Sequence, residues 1–429
     1  MKYEPIDPVL FIENRSRLAS LMDPGGLAVF LSNDLLPTNA DGTRLFIQNS
    51  DMFYLSGIDQ EDCTLVLFPD APDPKRREVL FIPETDEHTA VWRGDRLTAQ
   101  QAESLSGIRT VFRNTEFPKI FPEMVLDARS IYLNTNEHLR AEIRIQTRDA
   151  RFIRWCQKAY PLHRYERVAP LMHHLRAVKS PIEIDLIRRA IGITKKAFDR
   201  ALQTIRPGVW EFEIEAEITG EFLKNRSNRH AFQPIIASGP NACVLHYEAN
   251  HRQCQAGELI LMDFGAEYAN YAADVSRTVP VDGRFTPRQR AVYEAVLRVQ
   301  RAAMSLLKPD ILLADYTREV GRIMETELIG LGLLDADAVL NQPENAPLYK
   351  RFFMHGISHL LGIDVHDVGN RYRPFEAGMV FTCEPGIYIR EEGIGIRLEN
   401  DILITPDGPV DLTADIPIDP EEIEDRMNS

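Results

Sequence analysis

AGELILMDFG (Ala256–Gly265) and AGMVFTCEPG (Ala377–Gly386) share one skeleton: Ala-Gly, five residues, an acid, one residue, glycine. Asp263 and Glu384 hold the same place in the two copies. Each copy follows a long amphipathic segment with the same start signal. The first opens with Ser180 as N-cap, Pro181 at N1 and Glu183 at N3, the second with Thr286, Pro287 and Gln289. In such a capping box the hydroxyl and the N3 side chain satisfy N–H groups that the first helical turn leaves unpaired. Ile184, Ile187, Ile191, Phe198, Leu202 and Ile205 give the first helix an apolar stripe, and Val292, Val296, Val299, Ala303 and Leu306 give the second one its own. Each acid also has a histidine upstream at nearly the same distance, His246 before Asp263 and His366 before Glu384. Recurrence of cap, histidine and acid predicts two related α+β halves facing one another over a shared site. Convergence on a common core pattern is the bland alternative.

Both halves then read as hairpins. ELILMDFG runs into a polar turn near Glu267–Asn270 and returns as YAADVSRTVPV, while MVFTCEPGIYI and GIRLENDILIT flank REEG at Arg390–Gly393. Asp263 and Asp274 are equidistant from the first turn, as Glu384 and Glu399 are from the second, so each acid pair is expected directly across its hairpin. Opposed residues on antiparallel strands have Cβ atoms roughly 4.5 to 5.5 Å apart, where like charges destabilise the sheet. Two such pairs converging from two halves call for hard cations with oxygen ligands, or for shared protons. Solvation on an exposed sheet face would also relieve them, but the flanking Leu259, Leu261, Val275, Phe381, Ile396 and Leu398 are apolar and argue for burial.

FMHGISHLLGIDVHDVG adds His355, His359 and His366. His355 and His359 have the spacing of a zinc-binding helix, yet no glutamate stands between them and Gly356 and Gly362 favour a loop or bent strand. An oxygen-rich site with one imidazole suits manganese, with cobalt, zinc or iron as substitutes. Two such ions roughly 3.5 to 4 Å apart activate water and stabilise the oxyanion formed at a carbonyl, which makes hydrolysis the expected reaction. Other chemistries fit less well. The nearest approach to a nucleophile elbow, Gly356–Leu360, ends in leucine, no phosphate-binding loop occurs, and Cys383 alternates to the face opposite Glu384.

Size and charge agree with an ordinary multidomain enzyme. The chain has 429 residues, 44% hydrophobic and 26% charged, which exceeds what one core usually organises. The net charge of −15 argues against a nucleic-acid partner and suits a cation or amine. The N-terminal segment carries Glu4, Asp7 and Glu13 and lacks the apolar core of a secretory signal, so a cytoplasmic protein without a membrane partner is expected. Five scattered cysteines, none in a C-x-x-C pair, read as free buried thiols. Upstream, Leu27–Leu31, Thr64–Phe68, Val79–Ile82 and Ile131–Leu133 read as strands between helical segments such as Pro8–Met22. This places an α/β domain at 1–170 ahead of a domain at 171–429.

Together FQPIIASGP, LHY, MDFGAEY, ADVSRT, MHGISHLLGIDVHDVG, EPGIYI and GIRLEND, with QNSDMFYLSG and VWRGDRL upstream, resemble the pita-bread metallopeptidases, and within them the aminopeptidase P (Xaa-Pro aminopeptidase) family. The resemblance covers nearly the whole chain. It implies a creatinase-like N-terminal α/β domain and a C-terminal pita-bread domain with internal pseudo-twofold duplication. By the same resemblance Asp263, Asp274, His359, Glu384 and Glu399 are metal ligands, with Asp274 and Glu399 bridging two ions, and Glu384 is also the proton shuttle for a bridging hydroxide. His246, His355, His366, Arg397 and Tyr388 line the substrate site, and His355, His366 and Arg397 also count as catalytic. Trp92 resembles a family tryptophan that reaches a neighbouring subunit's site, which implies a homodimer or homotetramer; burial in the N-terminal core is its plainer reading. The implied activity releases the first residue from peptides with proline second. Prolidase is the nearest competitor and favours dipeptides. Creatinase lacks the acids, methionine aminopeptidases lack an N-terminal domain of this size, and a non-enzymatic pita-bread protein would have no need of the ligands. The segment after His366 is shorter than in the family, and Arg371 or Arg373 stands in for a family arginine there.

Overall fold

The N-terminal apolar runs become the centre of a six-stranded sheet. Its strands are β1 (Gly26–Leu31), β2 (Thr64–Leu67), β3 (Glu78–Ile82), β4 (Thr110–Arg113), β5 (Ser130–Leu133) and β6 (Arg164–Arg167), in the order β4-β3-β2-β1-β5-β6. β1 pairs in parallel with β5 and antiparallel with β2, so the sheet is mixed. GLAVFL, TLVL and SIYL are buried at every position, as expected of strands covered on both faces. β4 and β6, TVFR and RYER, lie at the edges and are partly exposed. RYER carries three charges, which protect a sheet edge, and TVFR, though made of strand-favouring Thr, Val and Phe, is too short at four residues to show an alternating pattern. The computed structural model describes residues 2–343 and 345–429, and the side chains of these except that of Arg93.

QNSDMFYLSG is structural in this unit. Gln48 Nε2 donates to Ile58 O (2.8 Å) and Gln60 O (2.9 Å). Asn49 caps the helix Ser50–Ser56 by accepting from Asp51 N and Met52 N, as N-cap residues do. Trp92, in the helix Glu87–Arg93, is 75% exposed, which removes the core reading.

The chain divides into two compact units, Tyr3–Leu175 and Arg176–Ser429. The second is built twice over. Helices Pro181–Thr204 and Glu211–Lys224 precede a sheet of β7 (Ile235–Ser238), β8 (Leu259–Phe264) and β11 (Val275–Pro280), ordered β11-β8-β7, with the small hairpin β9 (Glu267–Tyr268) and β10 (Tyr271–Ala272) at its tip. Helices Pro287–Leu306 and Leu313–Gly330 precede β12 (Val380–Cys383), β15 (Asn400–Thr405) and β16 (Gly408–Asp411), ordered β12-β15-β16, with the hairpin β13 (Gly386–Ile389) and β14 (Ile394–Arg397). Both long helices start with the expected capping box. Their buried stripes differ from the expected ones: Ile184 and Leu306 are only half-buried, and the first helix also buries Leu186, Ala190, Ile193, Thr194 and Ala197.

In the second half the segment Ile357–Leu361 runs beside β12 as β7 runs beside β8. Glu384 N donates to Ile357 O (3.0 Å), Thr382 N to His359 O (2.9 Å) and Leu361 N to Val380 O (3.0 Å). β7 opposes Ile235 to Asp263 and Ala237 to Leu261. His359 therefore stands where the first half has Ala237.

Candidate metal centre

Asp263 lies near the end of β8 and Asp274 immediately before β11. The ladder pairs Asp263 with Ser276, not with Asp274, so the expected direct opposition is corrected to a diagonal one. The turn residues are Ala269 and Asn270, both left-handed with φ of 53° and 66°, which puts the hairpin axis between them, one residue later than the sequence symmetry suggests. In the second half the opposition holds. Cys383 faces Asn400 and Gly386 faces Arg397, so the shared register brings Glu384 opposite Glu399.

The two halves meet along β11 and the strand turn at Arg397–Asp401. Glu399 N donates to Ser276 O (3.1 Å), Arg397 N to Thr278 Oγ1 (3.2 Å) and Asp274 N to Asp401 Oδ2 (3.1 Å). Among the described residues Asp274, His359 and Glu399 each offer a ligand atom, all within 4.8 Å of one another. His359 Nε2 is 3.4 Å from both Asp274 Oδ2 and Glu384 Oε1, so Glu384 borders the same space. Asp263 is close enough to act electrostatically on Asp274 and Glu399, with Oδ2 accepting from Arg397 Nη2 (2.5 Å) and Oδ1 buried without a hydrogen-bond partner among the described residues.

This arrangement is electrostatically unfinished. Burial, together with Asp263, Asp401 and Glu384 nearby, holds the Asp274 carboxyl well above its usual range. Burial, with Asp274, Glu384 and Asp263, does the same to Glu399. At Glu384 burial also pulls upward, but the His355 hydrogen bond and the electrostatic influence of His359, His355 and Arg397 outweigh it and hold the group below its ordinary range. His359 Nδ1 lies 3.1 Å from Leu360 O. Assigning the proton to that nitrogen leaves the Nε2 lone pair facing two carboxylate oxygens, a repulsive contact unless a cation lies between them. A buried orphan oxygen, carboxylates that resist ionisation and a lone pair turned on acids all fit divalent cations held by oxygen donors and one imidazole.

The other predicted residues separate into two groups. His355 Nδ1 is 3.4 Å from Glu384 Oε2 and its Nε2 is 2.8 Å from Tyr388 OH. The His366 ring packs edge-on against His359 at 4.3 Å. Tyr388, expected to contact substrate, is 1% exposed, and its hydroxyl is taken by Arg397 Nη1 (2.9 Å) and His355. Arg397 is likewise committed, to Asp263, Tyr388 and Ser276 Oγ (2.8 Å). His246 is exposed on the loop after β7, and Arg371 and Arg373 are exposed on the loop after His366. Cys383 is buried with Sγ 3.7 Å from Tyr316 OH, away from the acids.

Three residues of the centre were missed. Ser276 Oγ donates to Glu399 Oε2 (2.7 Å). Thr382 Oγ1 accepts from His359 N and donates to Glu384 Oε1, both at 3.1 Å. Asp401, fully buried, receives the Asp274 amide. Strand alternation from Glu384, Glu399 and Asp274 places Thr382, Asp401 and Ser276 on the acid face and would have found all three.

The chain belongs to metallopeptidase family M24, whose model matches residues 185–406, and it is a hydrolase with the two-domain aminopeptidase P fold. Residues 11–132 match the N-terminal domain of aminopeptidase P. The Xaa-Pro aminopeptidase of Escherichia coli is 35% identical over 97% of this chain and 97% of its own. Human Xaa-Pro aminopeptidase 3 is 32% identical over 92% of this chain and 80% of its own. Among solved structures, a putative aminopeptidase P from Bacillus anthracis superposes with a TM-score of 0.92 at 32% identity, covering 99% of both chains. Zinc-substituted E. coli aminopeptidase P in complex with product superposes with a TM-score of 0.87 at 35% identity, again covering 99% of both.

Proposed function

We propose that this chain is an Xaa-Pro aminopeptidase, a dinuclear-metal exopeptidase that releases the first residue from peptides with proline second. The observation that carries the reading is the convergence of Asp274, His359 and Glu399, with Glu384 and Asp263 at its margins. Asp263, Asp274, His359, Glu384 and Glu399 would hold two ions, with Asp274 and Glu399 shared between them; the oxygen-rich donor set favours manganese, and cobalt, zinc or iron would substitute. When bound, the pair of cations supplies Lewis acidity at the scissile carbonyl and a hydroxide nucleophile at neutral pH.

The protein's own groups supply the rest. Glu384, with Oε2 3.4 Å from His355 Nδ1, accepts the proton of the attacking water and delivers it to the departing proline nitrogen. His355 and His366, which contact Glu384 and His359, donate to the tetrahedral oxyanion. Arg397 and Tyr388 act as positioning residues, since their polar atoms hold Asp263, Ser276 and His355. His246 lines the outer cleft. Proline at the second position makes the scissile bond a tertiary amide with no N–H, so a site that does not grip that hydrogen accepts it.

The same reading assigns residues 171–429 to the catalytic domain, places the protein in the cytoplasm and makes it a homodimer or homotetramer with Trp92 at a neighbouring site. The 75% exposure of Trp92 supports the assembly reading, and among the described residues no helix is long and apolar enough to cross a membrane. Elemental analysis should find divalent metal, and cleavage of an Xaa-Pro-Xaa tripeptide should exceed that of the Xaa-Pro dipeptide. A metal-independent preparation would sink the proposal; a strong dipeptide preference would make the enzyme a prolidase. Isolating the monomer should cost tripeptide activity, and full retention would remove Trp92 from the site.

A further inference from the structure

A second charged group lies buried in the catalytic unit, outside the carboxylate centre. Asp367 Oδ1 accepts from Arg176 Nη2 (2.5 Å) and Val368 N (2.9 Å), and Asp367 Oδ2 is 3.1 Å from Lys179 Nζ. The same Arg176 nitrogen reaches Asp364 Oδ2 at 2.6 Å. Arg176 and Lys179 are each 4% exposed and Asp367 is 7% exposed. Removing such charges from water is costly, and an apolar replacement is often neutral or better for stability. Stability alone therefore gives a poor account of the group.

Its location gives a better one. Asp367 N donates to Leu360 O (2.8 Å) and closes the loop that begins after His359 and contains His366. Gly362 lies under the clamp, where a Cβ would stand 2.1 Å from Asp367 Oδ2. The two ends of this loop are held differently. His359 is tied to β12 through Thr382, by His359 N to Thr382 Oγ1 (3.1 Å) and Thr382 N to His359 O (2.9 Å). His366 is adjacent in the chain to the clamped carboxylate.

We infer that Asp367, gripped by Arg176 and Lys179, is a positioning residue that sets where the His366 imidazole stands in the substrate cleft. The inference rests on the reading of His366 as a cleft residue. His359 keeps its own anchor on β12 although the His366 ring packs edge-on against it at 4.3 Å, so loosening the clamp disturbs His366 and spares metal binding.

The test is the charge-neutral double variant D367N/K179M, which leaves Arg176 paired with Asp364, measured alone and combined with H366A. The expected result is a fall in kcat/KM on an Xaa-Pro-Xaa tripeptide of roughly tenfold or more, the scale of supporting-residue losses. Calorimetric titration with Mn2+ should show affinity unchanged within about twofold, and in the H366A background the double variant should cost almost nothing further, because coupled residues are not additive. Equal losses in both backgrounds, or Mn2+ affinity falling in step with activity, overturn the clamp while leaving His366 in place. If H366A itself leaves turnover intact, the cleft reading of His366 fails and the inference fails with it. Should circular dichroism show the double variant unfolded, R176K, which keeps the charge and loses the shared geometry, is read by the same criteria.

Discussion

The two halves of the catalytic unit share helices, ladders and the position of one acid, yet they do different work. Asp263 and Glu384 are equivalent, but Asp263 faces Ser276 and is neutralised by Arg397, whereas Glu384 faces Glu399 and is bordered by two histidines. The strand beside β8 presents Ala237 where the segment beside β12 presents His359. A duplicated scaffold thus supplies carboxylates from both sides, while the imidazole that meets Asp274 and Glu399, His359, comes from the second half. On the proposed reading, metal binding would be shared between the halves and proton transfer would belong to the second.

Substitution at the equivalent acids tests that asymmetry most severely. Glu384→Gln should lower kcat by ~10²–10⁴-fold, the usual worth of general acid–base catalysis, with Asp263→Asn acting mainly through metal affinity. Similar kcat losses with unchanged Mn2+ affinity for both would show functional symmetry.

Removing the metal should destabilise the unit by an amount set by ligand linkage, about 2.7 kcal/mol relative to protein held at a hundredfold excess over Kd, read as a fall in thermal midpoint that Mn2+ reverses. The metal-free protein should also become less stable as pH rises. Asp274 and Glu399 have folded pKa values raised above the ordinary 3.8 and 4.5, mainly by burial. Such groups favour the fold while protonated, and lose that contribution from those ordinary values upward as the unfolded chain ionises first. A midpoint that climbs from pH 5 to 7 without metal would contradict this.

Glycines two residues beyond the equivalent acids offer a smaller comparison. A Cβ at Gly265 would stand 1.7 Å from the Ala273 carbonyl oxygen, whereas at Gly386 the nearest atom, 2.7 Å away, is the end of the Tyr388 side chain. Gly265→Ala should cost at least ~1–3 kcal/mol, the usual overpacking range, and Gly386→Ala less, as denaturant midpoints would report. Smallest is an acid effect at the clamp. Burial would raise the Asp367 pKa, but Arg176 and Lys179 hold it below 3.8, so its stabilisation is present above that value and is lost as pH falls through the folded pKa. Charge-neutral D367N/K179M should show a shallower loss of stability below pH 4.

Much of the centre was legible because its chemistry leaves a periodic trace. Acids among alternating apolar residues, repeated after matching capped helices, announced both hairpins and the duplication. The Glu384–Glu399 opposition was readable because its turn, closed by Gly393 at φ 63°, sits where the symmetry of the sequence puts it. The first register was not, because it depends on Ala269 adopting a left-handed conformation that only Asn270 beside it advertises. β4 and β6 escaped notice since edge strands are recognised by their neighbours rather than by alternation.

The sequence by itself determined which side chains could bind cations, that two similar halves carry them, and that the chain is built like an aminopeptidase P. Tertiary structure decided which of those side chains meet. Register, the partner given to each half's acid, and the commitment of Arg397 and Tyr388 to protein contacts depend on strands far apart in the chain, such as Ser276 with Glu399. Local sequence patterns record which face a residue takes; only the packed chain brings distant faces within hydrogen-bonding reach and makes their charges depend on one another.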